Sequence, residues 1–416
     1  MLRILLEEFL GDLKAQRLRA TLTFLAVAWG ALAIVLLLAF GEGLKRSLRD
    51  GLLGAGERIF MLYGGETSKT YAGLAQGRRI RLSEDDLPLL LSSIPDIDKG
   101  SVSYGRWGAA ISVGRERTTS FIEGVGVDHE MTRHMEPAEG GRFISPSDVE
   151  QKRRVVFLGN DLADKLFGKG NSPIGRSVTI DGLPFVCVGV LKKKFQDSSN
   201  NGPDADRAVI PYSTFRTIYG FRFVNHLIVR PRDASLGPSV KAEIFRVLGK
   251  KYRFDPADER ALGMWDFIEG EKENLKVGLG IQIFMGLVGA FTLLVAGVGV
   301  ANIMYVVVRE RTHEIGVKLA LGARKRHIMS QFMFEAMAIS ITGGLVGLAV
   351  AAAIVAGVDT IPAEENPAMQ YILNPRLSWP IALGCVSLLV AVGLVAGILP
   401  ARKAAAVDPV ESLRYE

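Results

Sequence analysis

The chain has 416 residues, 48% of them hydrophobic and 23% charged, with a formal net charge of +6. The apolar share is high for a soluble protein, and the basic excess lacks the aromatic–basic interleaving of a nucleic-acid surface, so no nucleic-acid partner is expected. Its two cysteines, Cys187 and Cys385, lie too far apart in kind of segment to form a disulfide framework.

Charged residues are missing from four stretches, 20–41, 277–308, 336–358 and 377–401. Each exceeds the roughly 20 apolar residues that a helix needs to cross a bilayer. One such stretch suits a buried core; four predict four transmembrane helices. The first outlasts the roughly 7–15 residues of a signal-peptide core and reads as a retained anchor. The second, at about 1.5 Å per residue, exceeds a hydrocarbon core of about 30 Å. Gly278 and Gly280 near its start point the surplus toward the large domain.

Basic residues set the orientation. Arg3, Lys14, Arg17 and Arg19 precede the first stretch; Arg309, Arg311, Lys318, Arg324, Lys325 and Arg326 fill the second loop; Arg402, Lys403 and Arg414 follow the last stretch. The positive-inside rule puts both termini in the cytoplasm. The expected order is an amphipathic cytoplasmic segment (1–19), a transmembrane helix (20–41) and an extracytoplasmic domain (42–276). A second helix with an extended stalk (277–308), a cytoplasmic coupling segment (309–330) and a third helix (331–358) follow. A short outer loop (359–376), a fourth helix (377–401) and a cytoplasmic tail (402–416) end the chain.

In the domain, Ser83 and Asp86 predict a capped helix over 84–93 that Pro95 ends. RVVFLG (154–159) reads as a buried strand and 161–167 as a helix. Strands over 177–180 and 184–190 flank Asp181-Gly182, a hairpin turn. A strand at 208–210, a helix at 212–219, a strand at 226–229 and a helix at 238–248 complete an α/β pattern. The turn-rich loop 196–207 (QDSSNNGPDADR) is expected at the surface, and Lys192 to Lys194 as a solvated strand end.

Chemistry is sparse. The chain lacks G-x-x-x-x-G-K-[ST] and G-x-S-x-G, so no nucleotide-binding loop or hydrolase nucleophile is expected. Asp128, His129, Glu130 and His134 (VDHEMTRH) cluster suggestively, but their spacing fits no zinc signature and an ordinary polar loop is expected. No catalytic residue, cofactor or metal is expected, and the chain reads as a non-catalytic subunit. Glycines recur within the spans (Gly286 and Gly289; Gly297 and Gly299; Gly343, Gly344 and Gly347; Gly393 and Gly397), a pattern that favours close helix approach and self-association.

The distinctive segment is 309–328, RERTHEIGVKLALGARKRHI. Ile315, Leu319 and Gly322 recur at helical spacing, and Glu314 and Lys318 stand four apart in the favourable order. A stop-transfer cluster would carry similar charge. The residue string goes further: with the following FMFEAMAISITGGLVG and the C-terminal LPARKAAAVDPVESLRYE, it resembles FtsX-like ABC transporter permeases. RRVVFLGNDLADKLFG, PIGRSVTIDGLPFVCVGVLKK and AVIPYSTF resemble the periplasmic core domain of MacB-type permeases.

The resemblance implies an α-helical membrane protein with four transmembrane helices plus a large α/β extracytoplasmic domain. That domain would have a porter-like subdomain (45–100 and 208–275) with a β-rich insert (101–207). It implies a bacterial inner-membrane permease, paired with a second copy or a paralogue, working with a separate cytoplasmic ABC ATPase that holds ATP and Mg. An adaptor protein and outer-membrane channel are further expected partners. The coupling residues by resemblance are Glu310, Arg311, Glu314, Ile315, Gly316, Lys318, Leu319, Ala320, Gly322 and Ala323. Export by mechanotransmission is the expected function; lipoprotein release and FtsX-type signalling to a cell-wall hydrolase are the alternatives.

Overall fold

The computed structural model describes residues 17–196, 200–360 and 375–408. The expected cytoplasmic segment before residue 17, most of the expected outer loop (361–374), three residues of the turn-rich loop (197–199) and the tail from 409 lie outside the described residues. In chain order the elements are α1 (Arg17–Gly54), β1 (Phe60–Gly64), α2 (Asp86–Ser93), β2 (Ile97–Val113), β3 (Glu116–Val125), α3 (His129–Thr132), α4 (Pro146–Glu150), β4 (Val155–Leu158), α5 (Asn160–Phe167), β5 (Ser177–Ile180) and β6 (Leu183–Val190). They continue with β7 (Arg207–Pro211), α6 (Tyr212–Tyr219), β8 (His226–Pro231), α7 (Gly237–Tyr252), β9 (Leu262–Asp266), α8 (Phe267–Glu310), α9 (Thr312–Ala320), α10 (Lys325–Asp359) and α11 (Trp379–Ala405). The chain divides into two compact units, Leu48–Asn274 and Met1–Ser47 with Leu275–Glu416.

In the first unit, the strands run β3-β7-β4-β6-β5-β2-β8-β1-β9, and β3 pairs with β2 as well. The extra pairing closes six strands, β2, β3, β7, β4, β6 and β5, into a ring with no free edge among them. The remaining strands and the first half of β2 form an antiparallel sheet in the order β2-β8-β1-β9. With α2 between β1 and β2, and α7 between β8 and β9, this is a ferredoxin-like β-α-β-β-α-β arrangement. Two subdomains thus share one strand: Ile97 to Ser103 of β2 pair with β8, and Ser103 to Val113 pair with β3. A register shift between Arg106 and Ala109, with Gly108 at φ 72°, bends β2 within the ring portion.

The boundary expected at 207/208 is displaced. It falls inside β7, whose partners are β3 and β4 of the ring. The following α6 packs on β2, β3 and β7, so the β-rich part runs on to about Tyr219. Physically, a strand belongs to the sheet that satisfies its backbone groups, whatever follows it in sequence.

Local chemistry explains several elements. Ser83 N–H donates to Asp86 Oδ2 at 2.6 Å, closing the turn that leads into α2, whose N-cap is Asp85 rather than the expected Ser83. Asp181 and Gly182 adopt φ 47° and 83°, the paired left-handed conformation of a tight hairpin turn between β5 and β6. The core gathers Phe60, Leu62, Tyr104, Ile122, Phe185, Phe215, Leu227 and Leu248, all buried.

The second unit contains four helices long and apolar enough to cross a membrane: Thr21–Gly54, Phe267–Glu310, Lys325–Asp359 and Trp379–Ala405. Small residues set their spacing, but within the chain. A Cβ at Gly347 would lie 2.3 Å from the Ala28 carbonyl oxygen of α1, one at Gly344 2.4 Å from Leu389 of α11, and one at Gly397 2.8 Å from Ala336. At these positions the small residues let helices of the same chain approach closely. Leu279, Ile283, Phe284, Leu287, Phe291 and Val295 of α8 point outward, as residues facing lipid do.

Candidate functional site

The segment 309–330 folds as the tail of α8, the nine-residue α9 and the start of α10. Glu310 is the exposed last residue of α8. Arg311 breaks the helix (φ −96°, ψ 11°), so α9 starts in a new direction one residue later. A Schellman motif ends α9: Ala323 N–H donates to Lys318 O and Gly322 N–H to Leu319 O, both at 3.0 Å, with Gly322 at φ 90°. A residue with a Cβ would strain that turn.

Four of the residues expected for coupling, Ile315, Gly316, Leu319 and Ala323, lie on the side of α9 that packs against its own chain. Ile315 is 3% exposed and belongs to an apolar cluster with Val308, Ile328, Phe332 and Ala336; Gly316 is also buried. Leu319 and Ala323 pack partly against the same cluster. Apolar residues at this spacing attach α9 to the bundle, with Ile315 and Gly316 on the buried side. On α9 and its closing turn, His313, Glu314, Ala320, Leu321 and Gly322 are exposed. Leu321 is 84% exposed, a bare leucine at the turn. It was not among the expected site residues; the signal for it is its place directly before the helix-ending Gly322.

The charges are distributed in two directions. Glu314 pairs outward with Arg311 Nε at 3.4 Å. Arg311 Nη1 also meets Glu335 Oε1 of α10 at 3.3 Å, and Lys318 Nζ donates to Gln331 Oε1 at 3.4 Å. Glu335 and Gln331 were likewise not foreseen, because Glu335 borders an uncharged stretch and reads there as a boundary charge.

The unit Leu48–Asn274 holds a second polar constellation, under the turn-rich loop. Asp204, fully buried, takes Lys194 Nζ at 2.8 Å, Arg133 Nη2 at 2.9 Å and Arg207 Nη2 at 3.1 Å. Arg207 Nη1 in turn pairs with Glu123 Oε2 at 2.6 Å. Two expectations are corrected here: Lys194 is no solvated strand end, and Asp204 and Arg207 of the 196–207 loop are core residues. Arg133 Nη1 donates to the carbonyl of Ala55, directly after α1, and a Cβ on Gly54 would lie 1.9 Å from the Phe195 carbonyl oxygen. The end of α1 is therefore clamped between the 133–134 turn and the 194–196 segment.

Of the VDHEMTRH residues, Asp128 pairs with Lys99 at 3.3 Å while His129 is buried against Phe143. Among the described residues no three His, Cys, Asp or Glu side chains converge as a metal site. Burial pulls the His129 imidazole down to about 3 and that of His226 to about 4. For Glu123 burial pushes the carboxyl up, but Arg207 and then the two histidines outweigh it and hold it at about 2.

A four-helix membrane unit, a ring-plus-ferredoxin-like domain and a charged helix after the second span together describe a permease membrane subunit. Residues 20–247 match the MacB-like periplasmic core domain and residues 286–409 the FtsX-like permease C-terminal domain. The chain belongs to the family of MacB-like permeases, and it is a multi-pass membrane protein. Pyoverdine export ATP-binding/permease protein PvdT of Pseudomonas putida is 32% identical over 411 residues, covering 96% of this chain and 58% of that protein. Macrolide export ATP-binding/permease protein MacB of Bdellovibrio bacteriovorus is 28% identical over 415 residues, 97% of this chain and 60% of that protein. The chain thus spans under two thirds of the length of these relatives. The crystal structure of the periplasmic region of MacB from Actinobacillus actinomycetemcomitans aligns with a TM-score of 0.43 at 18% identity, over 55% of this chain and 97% of that one.

Proposed function

We propose that this permease converts ATP hydrolysis by a cytoplasmic ABC ATPase into movement of its extracytoplasmic unit, driving export across the cell envelope of a bacterium. In this reading both termini and α9 are cytoplasmic and Leu48–Asn274 lies outside. The observation that carries it is α8. This helix runs unbroken for 44 residues from Phe267 to Glu310, about 65 Å at 1.5 Å per residue, and ends one residue before α9. Both junctions between the two units fall inside helices, α8 and α1, so a push at α9 has no loop in which to dissipate.

The outward group of Glu314, Ala320, Leu321 and Gly322 would meet the ATPase, with Leu321 as its apolar anchor. ATP and Mg would be held by that partner, for this chain has no phosphate-cradling loop. The four uncharged stretches 20–41, 277–308, 336–358 and 377–401 offer no charged lining, so substrate would be handled by the extracytoplasmic unit rather than passed between the helices. Export follows the activities for which PvdT and MacB are named. A second permease copy completes the proposed assembly, and an adaptor with an outer-membrane channel extends it.

The test is a three-residue Gly-Gly-Ser insertion after Leu275 in α8. A cysteine placed at exposed Ser239 should change its labelling rate on ATP addition in the coupled wild-type complex and lose that response with the insertion, while the ATPase still co-purifies. An ATP-insensitive wild type, or an insertion with the full response, would refute mechanotransmission through α8.

A further inference from the structure

The ion-pair geometry at the root of α10 carries a consequence for α9. Ile328, Gln331, Phe332, Glu335 and Ala336 lie on one buried face of α10, spaced three and four apart. Four of the five positions suit the apolar cluster or tolerate it. Glu335 does not: a carboxylate 6% exposed, next to Phe332 and Ala336, is desolvated at a cost that only a good partner offsets. That partner is Arg311, whose Nη1 lies 3.3 Å from Glu335 Oε1, and whose guanidinium stands 6.0 Å from the Phe332 ring. Gln331 Nε2 donates to the same carboxylate oxygen at 3.5 Å, and its own carbonyl oxygen accepts from Lys318 at 3.4 Å.

One buried carboxylate therefore reaches both ends of α9. It holds Arg311, the residue that redirects the chain from α8, and through Gln331 it reaches Lys318, whose carbonyl accepts the closing bond of the Schellman motif. We propose that Glu335 is a positioning residue: it sets the angle at which α9 leaves α8 and so couples the proposed docking helix to the third span. It touches no partner itself. The assignment rests on the coupling role given to α9, but its geometric half does not.

Spin labels at exposed His313 of α9 and exposed Ser330 of α10 report that angle in the full chain reconstituted without any ATPase. The expected result is a single narrow distance distribution for the parent and a distribution about twice as wide for Glu335→Gln, which keeps the side-chain shape and removes the charge. The charge-swapped pair Arg311→Glu with Glu335→Arg should narrow it again, a rescue that loss of packing volume would not give. If Glu335→Gln fails to reach the membrane, Arg311→Gln removes the same pair from the other side and must broaden the distribution likewise. With the ATPase present, Glu335→Gln should preserve complex recovery but lower the stimulated hydrolysis rate about tenfold. An unchanged distribution, or a charge swap no narrower than the single variant, overturns the positioning role. A broadened distribution with normal stimulation keeps the geometry and defeats the coupling reading instead.

Discussion

Arg207 and Glu123 form an ion pair at 2.6 Å with 2% of each side chain exposed. Arg207 also forms an ion pair with Asp204 and donates to the carbonyls of Asn200 and Gly202, so one guanidinium ties β3, β7 and the loop before it. In a region of low effective dielectric, such a network is worth little against a packed apolar core, yet breaking it is costly. It joins Glu123 of β3 to Arg207 of β7 across the parallel pairing of these two strands.

Asp204→Asn tests that cost. The substitution leaves Arg133, Lys194 and Arg207 buried with one counter-charge removed, and should destabilise the extracytoplasmic unit by about 3–5 kcal/mol. Thermal unfolding of the full chain in detergent, with hydrogen exchange followed at Val209 and Ile210 of β7, measures it. Arg246→Ala serves as the control: it breaks a pair whose side chains are 68% and 39% exposed, and should change stability by under about 1 kcal/mol.

Acid should act through the buried histidines. His129 and His226 are pulled below the ordinary 6.5, to about 3 and about 4, by burial. A depressed folded pKa means that the unfolded chain takes up protons first as pH falls. The stability tied to neutral imidazole is complete above pH 6.5 and is lost as pH falls from 6.5 to about 4 for His226 and to about 3 for His129, by about 1.4 kcal/mol per pH unit for each. His129→Leu should remove about half of that slope. An equal slope in the parent and the variant, from unfolding midpoints at pH 7 and 5, would assign the acid sensitivity elsewhere.

Much of the extracytoplasmic fold is legible where one local rule decides. Asp181-Gly182 demands a hairpin, Ser83 and Asp86 a helix start, and RVVFLG a strand buried on both faces. β2 is not legible in that way. It serves two sheets in succession, so its burial follows neither face consistently and no period-two alternation marks it. β3 escapes for the related reason that its second half is buried throughout. For the site, the spacing of Ile315 and Leu319 identifies a helix with an apolar face. It does not say whether that face meets the chain's own bundle or another protein, and the bundle wins because Val308, Ile328 and Phe332 already present a surface for it.

Topology is checked by labelling. Ser172 in the extracytoplasmic unit and Ser330 at the start of α10 are both exposed, while native Cys187 and Cys385 are buried. A membrane-impermeant thiol reagent should label Ser172→Cys in intact cells and Ser330→Cys only after the membrane is opened. The reverse pattern would invert the orientation that the basic loops dictate.

The docking role of α9 turns on Leu321 against Gly316. Leu321 is 84% exposed, so Leu321→Asp should alter stability by no more than about 0.5 kcal/mol. As the apolar anchor of an interface it should weaken recovery of the ATPase complex by about 2 kcal/mol, or roughly thirtyfold in affinity. Gly316 is buried, so Gly316→Leu acts differently: the added side chain has to enter the seam between α9 and the bundle, and the whole docking surface shifts with it. That variant should bind the ATPase with an altered, lower stimulation rather than a simple loss of affinity. A helix that served only as a stop-transfer cluster predicts otherwise. Both variants would then couple normally, and only removal of Arg324, Lys325 and Arg326 would disturb the protein, through its orientation. Complex recovery and ATPase stimulation, measured at equal expression and with the labelling pattern unchanged, separate the two readings. Normal values for both Leu321→Asp and Gly316→Leu would leave α9 no part in docking.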